Sequence, residues 1–266
     1  MLYLVASESY VTEDSDPPDK ITRSFGKLRY NSLRSFPKLR KEENMSKHNT
    51  ISQDNLKYFY KPGRLPHMFN ADKPIFITFR LKFTLPKAAI TELEHRKRLW
   101  LDGYDSMGEA DQAEHKKQKD GLFFAWFDQL LDNSPDVPKI LHRKDISEII
   151  ANALKYHDGK RYQLLAYCIM PNHVHALIFP LKDENGSIYA PAGITYSWKR
   201  FTSNQINKLL GKSGSLWQRE SFDRMVRDEE ELGRTLEYIL QNPVKAGWVG
   251  EWKQWRGSYL REELLS

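Results

Sequence analysis

Apolar and polar residues alternate along Ile77-Thr78-Phe79-Arg80-Leu81-Lys82-Phe83-Thr84-Leu85, after the apolar pair Ile75-Phe76. This period of two, rich in β-branched and aromatic residues, predicts a strand over 75–85. A helix is predicted from 86 to about 101. Helical spacing recurs at Phe123, Phe127 and Leu130, predicting a helix over 121–131, and at Ile146, Ile149, Ile150 and Leu154, predicting one over 145–156. Residues 161–170 and 173–180 are apolar runs on either side of Pro171-Asn172, the pattern of an antiparallel pair. A helix over 195–210, a short strand over 221–226 and a helix over 228–242 complete the pattern. The last opens on acids after Asp228, carries Leu232, Leu236, Ile239 and Leu240, and is expected to stop at Pro243. The order strand, helices, two strands, helix, strand, helix predicts an α+β fold with helices on one face of an antiparallel sheet.

Two places on this pattern carry chemistry. In a strand, residues two apart face the same side, so His173 and His175 point together while Val174 points the other way. Paired imidazoles of this kind suit a divalent ion and leave positions for a carboxylate, amide, water or phosphate oxygen; a purely local hydrogen-bonding role is the plainer alternative. On the helix over 228–242, Tyr238, Gln241 and Asn242 stand at i, i+3 and i+4 and share a face. That face presents a phenol and two amides, although a tyrosine near a helix end is commonly a packing residue.

Composition narrows the setting. The 266 residues carry a formal net charge of +6, an isoelectric point near 9.1 and one cysteine. The lone Cys168 excludes an intrachain disulfide and reads as a core residue in a reducing compartment. No apolar run is long enough to cross a membrane, and the first residues lack the form of a secretory signal, so a cytoplasmic location is expected. Cations recur beside aromatics in Lys199-Arg200-Phe201, Trp217-Gln218-Arg219 and Arg224-Met225-Val226-Arg227, a mixture that suits phosphates and stacked bases. Residues 20–41 hold eight Lys or Arg and no acid, which makes 1–59 a basic, disordered arm in this reading. Met45 offers an alternative start that would remove most of it.

Several blocks together resemble the HUH single-tyrosine transposases, and among them the REP-associated tyrosine transposases of bacteria. The resemblance runs through Arg64-Leu65-Pro66-His67, the strand from Ile75, Met170-Pro171-Asn172-His173-Val174-His175, and Ser197-Trp198-Lys199-Arg200-Phe201-Thr202. It continues through Leu216-Trp217-Gln218-Arg219-Glu220-Ser221-Phe222-Asp223-Arg224 and the block from Tyr238 to Gly247. It spans 60–258, which is taken as one domain, leaving 1–59, a polar insertion near 102–120, and a C-terminal tail over 259–266 outside it.

The resemblance implies a ferredoxin-like fold, similar to an RNA-recognition domain. It implies a metal-dependent endonuclease and strand transferase acting on single-stranded DNA at or near hairpin-forming repeats, through a 5′-phosphotyrosine on Tyr238. His173, His175 and Asn242 are the implied ligands of Mg or Mn, with Gln241 the weaker choice for the third place. Lys199, Arg219 and Arg227 are candidate phosphate contacts, and Trp217 a candidate base-stacking residue. A monomer is favoured over a dimer that exchanges tyrosine helices, and the protein would accompany the nucleoid when bound to DNA. Two other readings remain at this stage: a catalytically silent hairpin-binding protein derived from a transposase, and a metal-dependent hydrolase in which Tyr238 is structural.

Overall fold

The computed structural model describes residues 56–59, 67–70, 73–82, 91, 95 and 138–264. The expected helix over 121–131, the insertion near 102–120 and nearly all of the basic arm lie outside them. Of the helix expected over 86–101, Thr91 and His95 are described, and both are helical. The last residues assigned to the arm form strand β1, Leu56–Phe59, whose backbone pairs antiparallel with β2, His67–Asn70.

The remaining strands build one antiparallel sheet. Strand β3 is Ile75–Arg80, β4 Tyr162–Ile169, β5 His173–Pro180, β6 Phe222–Met225 and β7 Ser258–Leu260, in the spatial order β6-β3-β5-β4-β7. Helix α1, Lys144–Lys155, precedes β4; α2, Pro191–Leu210, follows β5; α3, Glu229–Lys245, follows β6. Taken without β7, this is a ferredoxin-like arrangement in which two strand-helix-strand units interleave through the hairpin of β4 and β5. The expected α+β class and antiparallel sheet are what the chain adopts.

Alternation along the strands divides the sheet into two apolar faces. Ile75, Ile77 and Phe79 of β3 and Val174, Ala176 and Ile178 of β5 pack with Ile146, Ile150 and Leu154 of α1 and Ile194, Trp198 and Ile206 of α2. Within this core the Trp198 indole N–H donates to the Tyr162 hydroxyl at 2.8 Å, which donates to the Leu154 carbonyl at 2.7 Å. Burial pushes the Tyr162 phenol up to about 12, so it remains a donor at neutral pH. Leu232, Leu236, Ile239 and Leu240 of α3 instead join Phe76, Leu177 and Phe179 on the opposite face. The expectation of helices on one face holds for α1 and α2 but not for α3. Even-numbered β3 positions and odd-numbered β5 positions are themselves apolar or buried, so this second face also needs a cover.

The strand expected over 75–85 ends at Arg80, with Lys82 in a turn, and apart from shifts of one residue three further boundaries differ from the expected ones. Helix α2 begins at Pro191 because a proline at the first helical position loses no hydrogen bond. Pro243 lies inside α3 rather than ending it. Only the last turn follows it, and the chain leaves through Gly247, at φ 72°, with the Trp248 N–H returning to the Pro243 carbonyl at 2.9 Å. The stretch 259–266, expected to be a tail, begins in β7 and buries Leu260 and Leu264 against the α3 face.

The approach to β7 is tight. A Cβ at Gly257 would stand 2.7 Å from the Ile169 carbonyl oxygen and 2.8 Å from the Trp255 indole nitrogen. Gly257→Ala is expected to destabilise the protein by about 1–3 kcal/mol, the range for overpacking, as a lower denaturation midpoint. An unchanged midpoint would show that β7 adds little.

Candidate metal and tyrosine site

The α3 side of the sheet holds the paired imidazoles. Because Val174 is committed to the α1–α2 core, His173 and His175 turn beneath α3, each with no exposed surface. Burial of two polar rings requires partners, and the flanking elements supply them. Thr78 and His175 are cross-strand neighbours, with Thr78 Oγ1 2.9 Å from His175 Nδ1. Asn172 Oδ1 lies 2.7 Å from His173 Nδ1 and accepts its N–H. With Nδ1 occupied, each ring presents Nε2 to the other, and the two Nε2 atoms are 2.9 Å apart.

Helix α3 closes the site from above. Asn242 Nδ2 is 3.3 Å from His175 Nε2. A half-turn of that amide puts Oδ1 in the same place, as a cation would require. The Tyr238 ring meets the His175 ring edge to face at 5.7 Å and the Phe76 ring at 6.1 Å, while Phe76 stacks on His175 at 5.5 Å. Lys245 Nζ lies 5.6 Å from the centre of the Tyr238 ring. The structure thus brings together His173, His175, Tyr238 and Asn242; Gln241 is half-buried on the same helix, and Asn242 is the amide that reaches the histidines.

The donor set fits a divalent ion. Ligand bonds of about 2.1 Å place neighbouring donors of an octahedral shell about 3.0 Å apart, close to the 2.9 Å between the two Nε2 atoms. Both rings also carry the outer hydrogen bond at Nδ1 that orients a ligating imidazole. His173, His175 and Asn242 are therefore able to hold such an ion, leaving the remaining positions for water or substrate oxygens.

The orientation of α3 is fixed at its start. Asp228 caps the helix by accepting from the Glu231 N–H at 2.7 Å, and Glu231 accepts from the Arg227 N–H at 2.8 Å. Glu231 also forms an ion pair with Arg224 of β6, which reaches Thr235 Oγ1 at 3.3 Å and places its guanidinium 5.9 Å over Phe76. This set of bonds joins the sheet edge to the helix that carries the tyrosine.

The candidate DNA contacts are placed less uniformly. Trp217 is 3% exposed, packs edge-on against Phe79 at 4.8 Å and donates to Thr202 Oγ1, so it is a core residue and not a platform for bases. The cause is local: Phe79 faces the α2 side, and the bridge from Leu81 to Trp217 brings the indole onto it. Lys199 donates to the carbonyls of Gln218, Arg219 and Glu220 and to Ser221 Oγ, which ties down the segment before β6. Burial, reinforced by Arg80, pulls its ammonium down to about 8. Its work in the fold is to hold this segment, in place of the phosphate contact expected of it. Arg219 is exposed and Arg227 half-buried.

Sequence reasoning missed Thr78 and Asn172 as partners of the imidazoles, and it missed Arg80. Arg80 is 8% exposed and is the cross-strand neighbour of His173; burial lowers its guanidinium to about 10, which leaves it charged at neutral pH. An arginine in a strand otherwise composed of Ile, Phe and Thr was the available signal.

No family model matches the chain. A Haemophilus influenzae protein provisionally named a REP-associated tyrosine transposase is 35% identical over 112 residues, 39% of this chain and 61% of that protein. A REP-associated tyrosine transposase of Escherichia coli is 22% identical over 112 residues, 42% of this chain and 62% of that protein. The chain therefore spans about three fifths of the length of these relatives. A solved structure of a REP-associated tyrosine transposase bound to a REP hairpin overlays on 80% of this chain and 82% of its own, with a TM-score of 0.39 and 14% identity. The chain is similar in sequence to REP-associated tyrosine transposases, as its motifs implied. Among the described residues no helix is long and apolar enough to cross a membrane.

Proposed function

We propose that this chain is a metal-dependent endonuclease and strand transferase of transposase type, acting on single-stranded DNA at or near hairpin-forming repeats. The observation that carries this reading is the contact of Tyr238 and Asn242, one helical turn apart, with the same buried imidazole of His175. A nucleophile and a ligand set are thereby held within one chain, which supports a site complete in a monomer. The names of the sequence relatives support the same class.

The chemistry assigns each group a task. The Tyr238 phenol attacks a backbone phosphorus; its proton leaves to solvent or a nearby base, and the bond from phosphorus to the 3′ oxygen breaks. The products are a 5′-phosphotyrosine and a strand ending in a free 3′-OH. Because the new phosphodiester conserves the energy of the old one, attack by a 3′-OH on the phosphotyrosine rejoins DNA without another energy source. His173, His175 and Asn242 would hold Mg or Mn, which when bound supplies positive charge to the phosphate oxygens. Arg80, buried at the strand position paired with His173, would add a fixed positive charge near this end of the site. Phe76 stacks beneath His175 and keeps water from that face. Thr78 and Asn172 hold the two rings with Nε2 directed inward.

Incubation of the chain with single-stranded hairpin oligonucleotides in Mg or Mn is expected to give a covalent protein–DNA band on a denaturing gel. Tyr238→Phe should lose the band and the cleavage while still binding the hairpin. Cleavage by this variant at the parent's rate would point to water as nucleophile and refute the assignment of Tyr238. Thr78→Val, which keeps the shape of the side chain, should weaken Mn binding about 10–100-fold by calorimetry through loss of the Nδ1 contact. Unchanged affinity would mean that Thr78 does not position the ligand.

A further inference from the structure

A cluster of aromatics and cations stands at the surface where the β4–β5 turn meets the end of α3. Trp248 is 42% exposed, its ring stacked on His142 at 5.9 Å and tilted against Trp255 at 5.8 Å. Lys139 Nζ lies 5.9 Å from its ring centre. Further along, Lys253 Nζ stands 5.8 Å over the ring of Trp252. The acid in this stretch, Glu251, is turned into the cap of its own short helix, Trp252–Gln254. Across the patch Asp145 is paired with Arg143 at 2.7 Å. The surface thus combines flat rings with cations.

Its backbone anchors lead to both halves of the proposed site. The Trp255 indole N–H donates to the Ile169 carbonyl at 3.0 Å, and the Leu141 N–H donates to the Pro171 carbonyl at 3.0 Å, two residues before His173. The Trp248 N–H donates to the Pro243 carbonyl at 2.9 Å, one residue after Asn242. These bonds tie the ring cluster to the chain segments that carry His173 and Asn242.

We infer that Trp248, with His142, Trp255 and Lys139, is a stacking platform for unpaired bases of the single-stranded DNA that enters the proposed site. The inference rests on the single-strand reading of that site. Exposed rings accept any base through its face while adjacent cations meet the phosphates, a combination that favours unpaired strands over duplex and is tolerant of sequence. The Trp255 ring is held by its bond to the Ile169 carbonyl, and Trp248 packs against it and against His142.

The test uses the full chain without divalent metal and reads binding alone, by anisotropy of a fluorescein-labelled thymidylate oligonucleotide of about 12 nucleotides and of an abasic strand of equal length. The parent is expected to prefer thymidylate. Trp248→Ala should weaken thymidylate binding about tenfold, the scale of one lost base stack, and leave abasic binding unchanged, while Trp248→Tyr keeps most of the preference. Thymidylate binding by Trp248→Ala equal to the parent's would overturn the platform and leave this surface to a protein partner. Equal losses on both strands would also overturn it, because a general loss of charge or fold does not distinguish bases. Because the readout is binding without metal or cleavage, failure of the platform and failure of the tyrosine chemistry are read separately.

Discussion

Strand β5 lies between β3 and β4 and is covered on both faces, and this constraint determines where the site must be. Val174, Ala176 and Ile178 belong to the core under α1 and α2, so His173 and His175 have one direction left to them. A register slip of one residue would exchange the two sets, placing both imidazoles among leucines and isoleucines and the branched side chains under α3. Pairing on both sides of β5 opposes that slip. The same register sets Thr78 and Arg80 of β3 opposite His175 and His173. Apolar packing on one face of the sheet thus fixes a polar arrangement on the other.

Helix α3 is the second half of this arrangement, held at both ends. Its N-terminus is tied to β6 through Asp228, Glu231 and Arg224, its middle is packed by Leu232, Leu236, Ile239 and Leu240, and its end is turned away at Gly247. Tyr238 and Asn242 project from the interval between these anchors. The side that carries them is less apolar than the packing stripe, which allows a phenol and an amide to approach the histidines without displacing the core. Arg224 over Phe76, and Phe76 under His175, join the anchor to the site by direct contact.

Periodicity made the sheet and the three helices legible because each buries a long stripe, and spacing alone paired His173 with His175 and set Tyr238, Gln241 and Asn242 on one face, the choice of Asn242 over Gln241 coming from the family resemblance. Features set by tertiary contact were not legible. The three-residue β7 is too short to alternate, and Pro243 reads as a stop where the helix tolerates it in its last turn. Thr78 and Arg80 became visible only through their register with β5, nearly a hundred positions along the chain, and Asn172 read as a turn residue because its side chain's partner depends on the ring orientation of His173. Basic-aromatic clustering misled at Lys199 and Trp217, where the same residue types serve a caged ammonium and a core indole. That α3 would cross the opposite face was implicit in the apolar Phe76, Leu177 and Phe179, which need a cover as much as their neighbours do.

The central claim is that one chain contains a complete site, with the Tyr238 nucleophile working against its own histidines. Mixing the Tyr238→Phe and His173→Ala variants, each inactive alone, with a hairpin substrate and Mn tests it directly. If tyrosine and histidines act within one chain, the mixture forms no covalent protein–DNA adduct. Recovery of adduct in the mixture would mean that the tyrosine of one copy serves the histidines of another, and would contradict the account.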